Sequence, residues 1–412
     1  MSGRLRVLFF SSRFLFPQDT GGKIRTAKLL EGLKERWAVS LLSGFDPATD
    51  GSFRAAAEAL GDRFLPVERR PPARASGWRR PLRRLGRAAS LTPLSVQYET
   101  LPAFRQALAR ELQAGAYDLF VCDFLQPTAN VPRPCPCASL LFAHNVESRI
   151  TRRQARLAEG LAQKALWLWQ HGLTSRYEGT VARRFDRVVA VSASDREELE
   201  GRFGLRNVRE IPTGVDAEAF HPSGLEPETD HVVFCGSMDW LPNQDAVRWF
   251  VAEVLPRVVG ARPGARLTVV GRNPPPELVA ATAGEPSVRF TGRVEDVRPW
   301  LERASCVVVP LRIGGGTRIK IYEALAMERP VVSTSVGAEG LPIEDGQHYL
   351  LADGAEAFAG KVVECLARPE EARAVARAAR LYVARRFGWD RVADAFAAIG
   401  REAVEARAGR GR

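Results

Sequence analysis

Short apolar runs, each ending in glycine or a small polar residue, recur along this chain. The first is Val7-Leu8-Phe9-Phe10-Ser11, and a run without polar alternation suits a strand buried on both faces. Pro17 and Gly21-Gly22 then mark a turn, residues 24–33 place apolar side chains at helical spacing, and residues 39–42 form the next apolar run. Strand, glycine turn, helix, strand is the start of a parallel sheet, because parallel neighbours need a crossover between them. The alternation resumes at residues 119–122, 139–143 and 187–192, with a helix predicted from Ser194. It then begins afresh. Residues 231–236 run into Gly236, residues 245–254 read as a helix, and apolar runs at 267–271, 288–292, 306–310 and 330–334 continue the series. Two such series predict an α/β protein of two Rossmann-like domains. The break falls between about residues 206 and 229, where Pro212, Gly214, Pro222, Gly224 and Pro227 interrupt any periodicity. Ligands of such sheets bind beyond the carboxyl ends of the strands, so the expected site is a cleft between two facing domains.

Composition narrows the class. At 412 residues the chain is too long for one ordinary core, and 45% hydrophobic with 26% charged residues is the balance of a globular enzyme. No window approaches the roughly 20 apolar residues that span a bilayer, and no cleavable signal is recognised. The six cysteines are scattered, mostly in apolar runs, which suits buried reduced thiols and a cytoplasmic protein. A formal charge of +11 favours partners that carry phosphate: nucleic acid, anionic lipid or a nucleotide. No aromatic-basic nucleic-acid motif is visible, so no nucleic-acid partner is expected. The densest basic run includes Arg79, Arg80, Arg83 and Arg84 beside Leu82 and Leu85. A helix there would lay arginines over leucines, as on an anionic membrane surface; the alternative is a solvated loop.

The chemistry concentrates in Gly314-Gly315-Gly316-Thr317-Arg318-Ile319-Lys320, after an apolar run and before a helical pattern. Glycines admit a close ligand, Thr317 can cap the helix, and the free amides of the first turn favour an anion. Arg318 and Lys320 add positive charge where the helix dipole opposes it, so a compensating anion such as a diphosphate is expected. Glu323 lies three residues beyond Lys320 on the same face, within reach of a ribose diol.

These segments resemble glycosyltransferase family 4, the retaining GT-B enzymes, over nearly the whole chain. The resemblance rests on the glycine turn with its basic residues and Glu323 before Ala324-Leu325-Ala326, on the Pro17 to Gly22 loop, on Ala143-His144-Asn145 and on Ile211-Pro212-Thr213-Gly214. More narrowly, Gly236-Ser237-Met238-Asp239-Trp240-Leu241-Pro242-Asn243 and Gly337-Ala338-Glu339-Gly340-Leu341 look like bacterial sugar transferases of exopolysaccharide and exosortase gene systems. The resemblance implies a GT-B fold: residues 1–210 as an acceptor-side domain, 211–384 as the donor domain, and 385–412 as a helix returning to the first domain with a disordered tail from Arg407. It implies catalytic roles for His144, Lys320 and Arg318. Donor contacts would come from Gly21, Gly22, Gly236, Ser237, Arg293, Val294, Gly316, Thr317, Arg318, Lys320 and Glu323. Trp240 and Asn243 are read as building a turn and capping the next helix. The implied activity is retaining transfer of a hexose from a nucleoside diphosphate sugar to a lipid-linked or glycan acceptor, with no metal or other cofactor, at the cytoplasmic face of the membrane. Two departures stand out: Gly315 replaces a family glutamate, and Ser237-Met238-Asp239 replaces an arginine and lysine segment. A nucleotide-sugar-binding protein without transfer is the alternative.

Overall fold

The computed structural model describes residues 4–69, 90–115, 117–158, 160–315 and 318–410. The basic run around Arg79, Arg80, Arg83 and Arg84, together with Gly316 and Thr317, lies outside them. The described chain divides into two compact units, residues 1–211 with 392–412, and residues 212–391.

In the first unit the apolar runs become β1 (Leu5–Ser11), β2 (Trp37–Phe45), β3 (Arg63–Glu68), β4 (Leu119–Asp123), β5 (Ala138–Ala143), β6 (Arg187–Ala190) and β7 (Val208–Glu210). They form one parallel sheet in the order β3-β2-β1-β4-β5-β6-β7. The second unit repeats the plan with β8 (His231–Cys235), β9 (Arg266–Val270), β10 (Val288–Gly292), β11 (Cys306–Val309), β12 (Val331–Ser333) and β13 (Leu350–Leu351), ordered β10-β9-β8-β11-β12-β13. Buried side chains of both sheets explain the unbroken apolar runs: every residue of β4, β5, β8 and β11 is buried. In each sheet the order reverses once, between β1 and β4 and between β8 and β11. Loops leaving these strands diverge there, and ligands of open α/β sheets bind in such crevices.

Several boundaries differ from the sequence reading for local reasons. Gly21 and Gly22 are not a loop but the first residues of the helix Gly21–Leu33, a position where glycine's cost is small because the first amides have no helical partner anyway. The second unit's first helix starts at Leu241 rather than at residue 245, with proline in its first turn. Its continuation is a π-turn, Phe250–Val254, leading into Leu255–Ala261. The stretch read as structureless contains β7, too short to show periodicity. The tail expected to be disordered from Arg407 is helical to Arg410, as part of Trp389–Arg410. Alanine-rich sequence favours the helix, and Arg407 donates to the Cys135 carbonyl at 2.9 Å. Phe396 packs between Trp37 and Phe142, at ring distances of 5.9 and 5.1 Å. No described helix is long and apolar enough to cross a membrane.

Candidate functional site

In the second unit the chain leaves β8 at Gly236 and, after β11, enters the helix Ile319–Ala326. Ile319, Ile321, Tyr322, Ala324, Leu325 and Ala326 of that helix are buried, so its two charged side chains, Lys320 and Glu323, share the remaining half-buried face. The Lys320 ammonium lies 4.4 Å from the centre of the Phe234 ring and donates to Asn243 Oδ1 at 3.1 Å. Asn243 Nδ2 in turn donates to the Ser237 carbonyl at 2.7 Å. Asn243 therefore does not cap its helix, which has Trp240 at the cap position and no side-chain cap bond; it ties the Gly236-Ser237 turn to Lys320. A Cβ on Gly236 would stand 2.7 Å from both Lys320 Nζ and Asn243 Nδ2. The glycine is what lets the ammonium reach the strand end.

Burial sets the charges here. It lowers the Lys320 ammonium to about 7, and it lifts the Glu323 carboxyl to about 7 against the opposing pull of Lys320. Near neutrality both groups sit at their titration points. A dianionic ligand at the helix start would favour the charged ammonium, and the helix dipole would add to that attraction.

Other expected residues are placed differently. Arg318 takes the helix cap position in extended backbone. Its buried guanidinium donates to the Gly315 carbonyl and lies 5.5 Å over the Trp240 ring. Its contacts thus run to the Gly315 loop and to Trp240 in the turn after β8. Ser237 Oγ donates to Asp239 at 3.0 Å and accepts from Arg272, which also pairs with Asp239 at 2.7 Å. Arg293 is exposed, and Val294 packs against the unit's core.

The first unit builds its own cluster where β1, β4 and β5 end. Buried Asp123 accepts from Ser11 Oγ at 2.9 Å, Thr26 Oγ1 at 3.1 Å and His144 Nε2 at 2.7 Å. Arg25, a donor only, faces His144 Nδ1 at 3.3 Å, which assigns the imidazole proton to Nε2. Both ring nitrogens are occupied. Burial drops the imidazole to about 4, so it is neutral at physiological pH. Phe124, at φ 70°, stacks on the imidazole with centroids 3.7 Å apart. A Cβ on Gly22 would stand 2.8 Å from the Phe124 ring, so room for this stack is what Gly22 supplies. Asp123, Thr26, Arg25 and Phe124 were missed in the sequence. Asp123 alone left a signal, as an acid ending an otherwise apolar strand.

Comparison with known proteins agrees with this architecture. The model of the Glycosyltransferase Family 4 domain matches residues 20–219, and that of Glycosyl transferases group 1 matches residues 229–368. Glycogen synthase of Mycobacterium tuberculosis (strain ATCC 25618 / H37Rv) is 27% identical over 248 residues, 56% of this chain and 58% of that protein. D-inositol 3-phosphate glycosyltransferase of Acidothermus cellulolyticus is 26% identical over 290 residues, 65% of this chain and 63% of that protein. The match to these curated relatives thus spans only somewhat over half of their length. Among solved structures, sucrose-phosphate synthase from Thermosynechococcus elongatus superposes with a TM-score of 0.75 at 19% identity, covering 98% of this chain and 100% of that one. Anabaena HepE in complex with UDP and glucose gives a TM-score of 0.69 at 14% identity, covering 96% and 98%. At such identities the likeness shows the fold. With two consecutive family matches and this fold over nearly its whole length, the chain belongs to the family 4 type of glycosyltransferases and has the GT-B fold.

Proposed function

We propose that this chain transfers a hexose, with retention of anomeric configuration, from a nucleoside diphosphate sugar to a lipid-linked or glycan acceptor in the assembly of a surface or exported polysaccharide. The observation that carries the reading is that half-buried Lys320 and Glu323 share one face of the helix Ile319–Ala326, with Lys320 beside the Gly236 turn. In this reading the first-turn amides, Lys320 and Arg318 bind the diphosphate, and Glu323 accepts from the ribose. These cations lower the charge building on the departing diphosphate, the main catalytic contribution. The bond from the anomeric carbon to the diphosphate breaks as the acceptor oxygen attacks from the same face, and the leaving phosphate takes its proton. No metal is assigned a role. The polysaccharide assignment is supported by the sequence likeness of residues 236–243 and 337–341 noted above.

Donor binding is tested first, by thermal shift and calorimetry with UDP-glucose and GDP-mannose as probes. Lys320→Ala and Glu323→Ala are each expected to weaken binding by about 1.5–3 kcal/mol, the worth of a charge-assisted hydrogen bond. Unchanged affinity in both variants removes the site assignment. NMR of the anomeric proton in the product then decides retention, and an inverted product overturns that part. A second reading, a donor-binding protein without transfer, is favoured by the commitment of both His144 nitrogens within the first unit. Donor binding with neither transfer nor hydrolysis across a panel of acceptors would select it.

A further inference from the structure

The first unit carries apolar surface that its described fold leaves uncovered. The helices Glu147–Leu157 and Leu161–Ala182 run antiparallel. At one end the amides of Glu147 and Ser148 donate to the Glu178 carboxylate at 2.7 and 3.1 Å, and His171 Nδ1 lies 2.9 Å from the Ser148 carbonyl. At the other end only residues 158–160 join them. Around that free end Leu161 is 89% exposed, Leu168 52%, Leu166 47%, Leu157 43% and Trp169 37%.

Five of the twelve large apolar side chains that are exposed among the described residues therefore fall within residues 157–169. Scattered single exposures need no explanation, but a cluster does. The second helix buries Gln170, Leu173, Thr174 and Glu178 on one face. Leu161, Ala165 and Leu168 lie on the opposite face at helical spacing, while Leu166 and Trp167 continue the buried side beyond its cover. A helix end that shows apolar side chains on opposite faces has more apolar surface than its own fold covers.

Charge selects what covers it. Arg152 and Arg156 are exposed one turn apart on the first helix, and Lys164 is exposed on the second. Between residues 148 and 176 the only acidic residue is Glu159. Arg149, by contrast, is buried and paired with Asp195 and Glu198. Leucines and tryptophans ringed by cations match the boundary between acyl chains and anionic headgroups. We propose that the free end of this helical pair seats the protein on an anionic lipid bilayer, with Leu161, Leu168 and Trp169 entering the headgroup region and Arg152, Arg156 and Lys164 at the level of the phosphates. This is a second surface, separate in sequence from the arginine run at residues 79–84. It does not depend on the transfer reading, because binding is measured without donor.

The test uses the full chain and vesicles of phosphatidylcholine with or without phosphatidylglycerol. The native protein is expected to sediment with the anionic vesicles, to be released by high salt, and to show a blue shift of tryptophan emission on binding. Leu161→Ser with Leu168→Ser, and separately Arg152→Gln with Arg156→Gln and Lys164→Gln, should each weaken binding at least about tenfold. Both sets replace exposed side chains, so melting temperatures should stay unchanged. Equal sedimentation of the native protein and both variants overturns the proposal. So does loss of binding only when Arg79, Arg80, Arg83 and Arg84 are replaced by glutamine. A shift from dimer to monomer in the leucine variant with vesicle binding intact also overturns it, since a second copy of the chain would then cover the face.

Discussion

Donor binding should move protons, in opposite directions on the two sides of neutrality. Burial brings both Lys320 and Glu323 to about 7 in the unliganded protein. A diphosphate beside Nζ restores the ammonium, and ribose hydroxyls donating to Glu323 restore the carboxylate. At pH 8 Lys320 is mostly neutral and Glu323 mostly ionised, so binding takes up more proton at the lysine than it releases at the glutamate. The net proton number is an uptake of a fraction of a proton. At pH 6 the balance reverses, and binding releases protons. Calorimetry in two buffers of different ionisation enthalpy reads this number as the slope of the observed heat. An intact nucleoside diphosphate sugar is the proper ligand, because the terminal phosphate of a free diphosphate titrates near pH 6 and adds protons of its own. In Lys320→Met the uptake at pH 8 should vanish while the release at pH 6 persists. A flat slope at both pH values in the native protein, or an unchanged uptake in Lys320→Met, refutes the assignment of the two groups to the donor site.

Two further outcomes follow from close packing and from burial. Gly236→Ala should weaken donor binding about tenfold or more, because its Cβ would stand 2.7 Å from Lys320 Nζ and Asn243 Nδ2 and displace the ends of two side chains rather than backbone. Gly271→Ala should instead destabilise the second unit by roughly 1–3 kcal/mol, since its Cβ would collide with the Gly236 carbonyl of the backbone; urea midpoints and donor affinity separate the two, and equal effects would sink the distinction. For His144 the folded value of about 4 lies below the ordinary 6.5, so the unfolded chain binds the extra proton between those values and stability falls as pH drops through that window. The loss is on the order of 3 kcal/mol by pH 4, and His144→Gln should flatten that part of the profile; an equally steep acid limb in the variant would mean other groups carry it.

The sheets were legible because their strands are buried on both faces and so read as unbroken apolar runs. Strands β3, β7 and β13 were not: β3 is largely exposed or half-buried, and β7 and β13 are too short for any period. Lys320 and Glu323 could be found from sequence, because helical spacing puts residues three apart on one face. Asn243 could not be placed correctly, since a polar residue early in a helix reads equally well as a cap, and only the fold brings Lys320 against it across 77 positions of sequence. Gly22 shows the same limit from the other side. A glycine near a strand end suggests a ligand, yet here the close neighbour is the Phe124 ring, distant in sequence.

The two strand-order reversals differ in their electrostatics, and the difference explains why the second unit is the one assigned the nucleotide. At the first reversal the polar groups answer one another: Asp123 receives three side-chain donors, and His144 spends both nitrogens on Asp123 and Arg25. A carboxylate and an imidazole that already hold these partners gain little from a ligand. At the second reversal Lys320 has one side-chain acceptor, Asn243, and an aromatic face. The Glu323 carboxylate has no hydrogen-bond donor among the described residues, and burial holds it near 7. Leaving such groups partly desolvated costs free energy in the unliganded protein. A ligand carrying negative charge and hydroxyl donors would remove that cost by supplying the missing partners. Groups such as Asp123 and His144 that already hold their partners position a neighbour, whereas incompletely paired ones create affinity. The His144 cluster is therefore expected to act through the shape it imposes on the first unit, and Lys320 with Glu323 through direct contact with the donor.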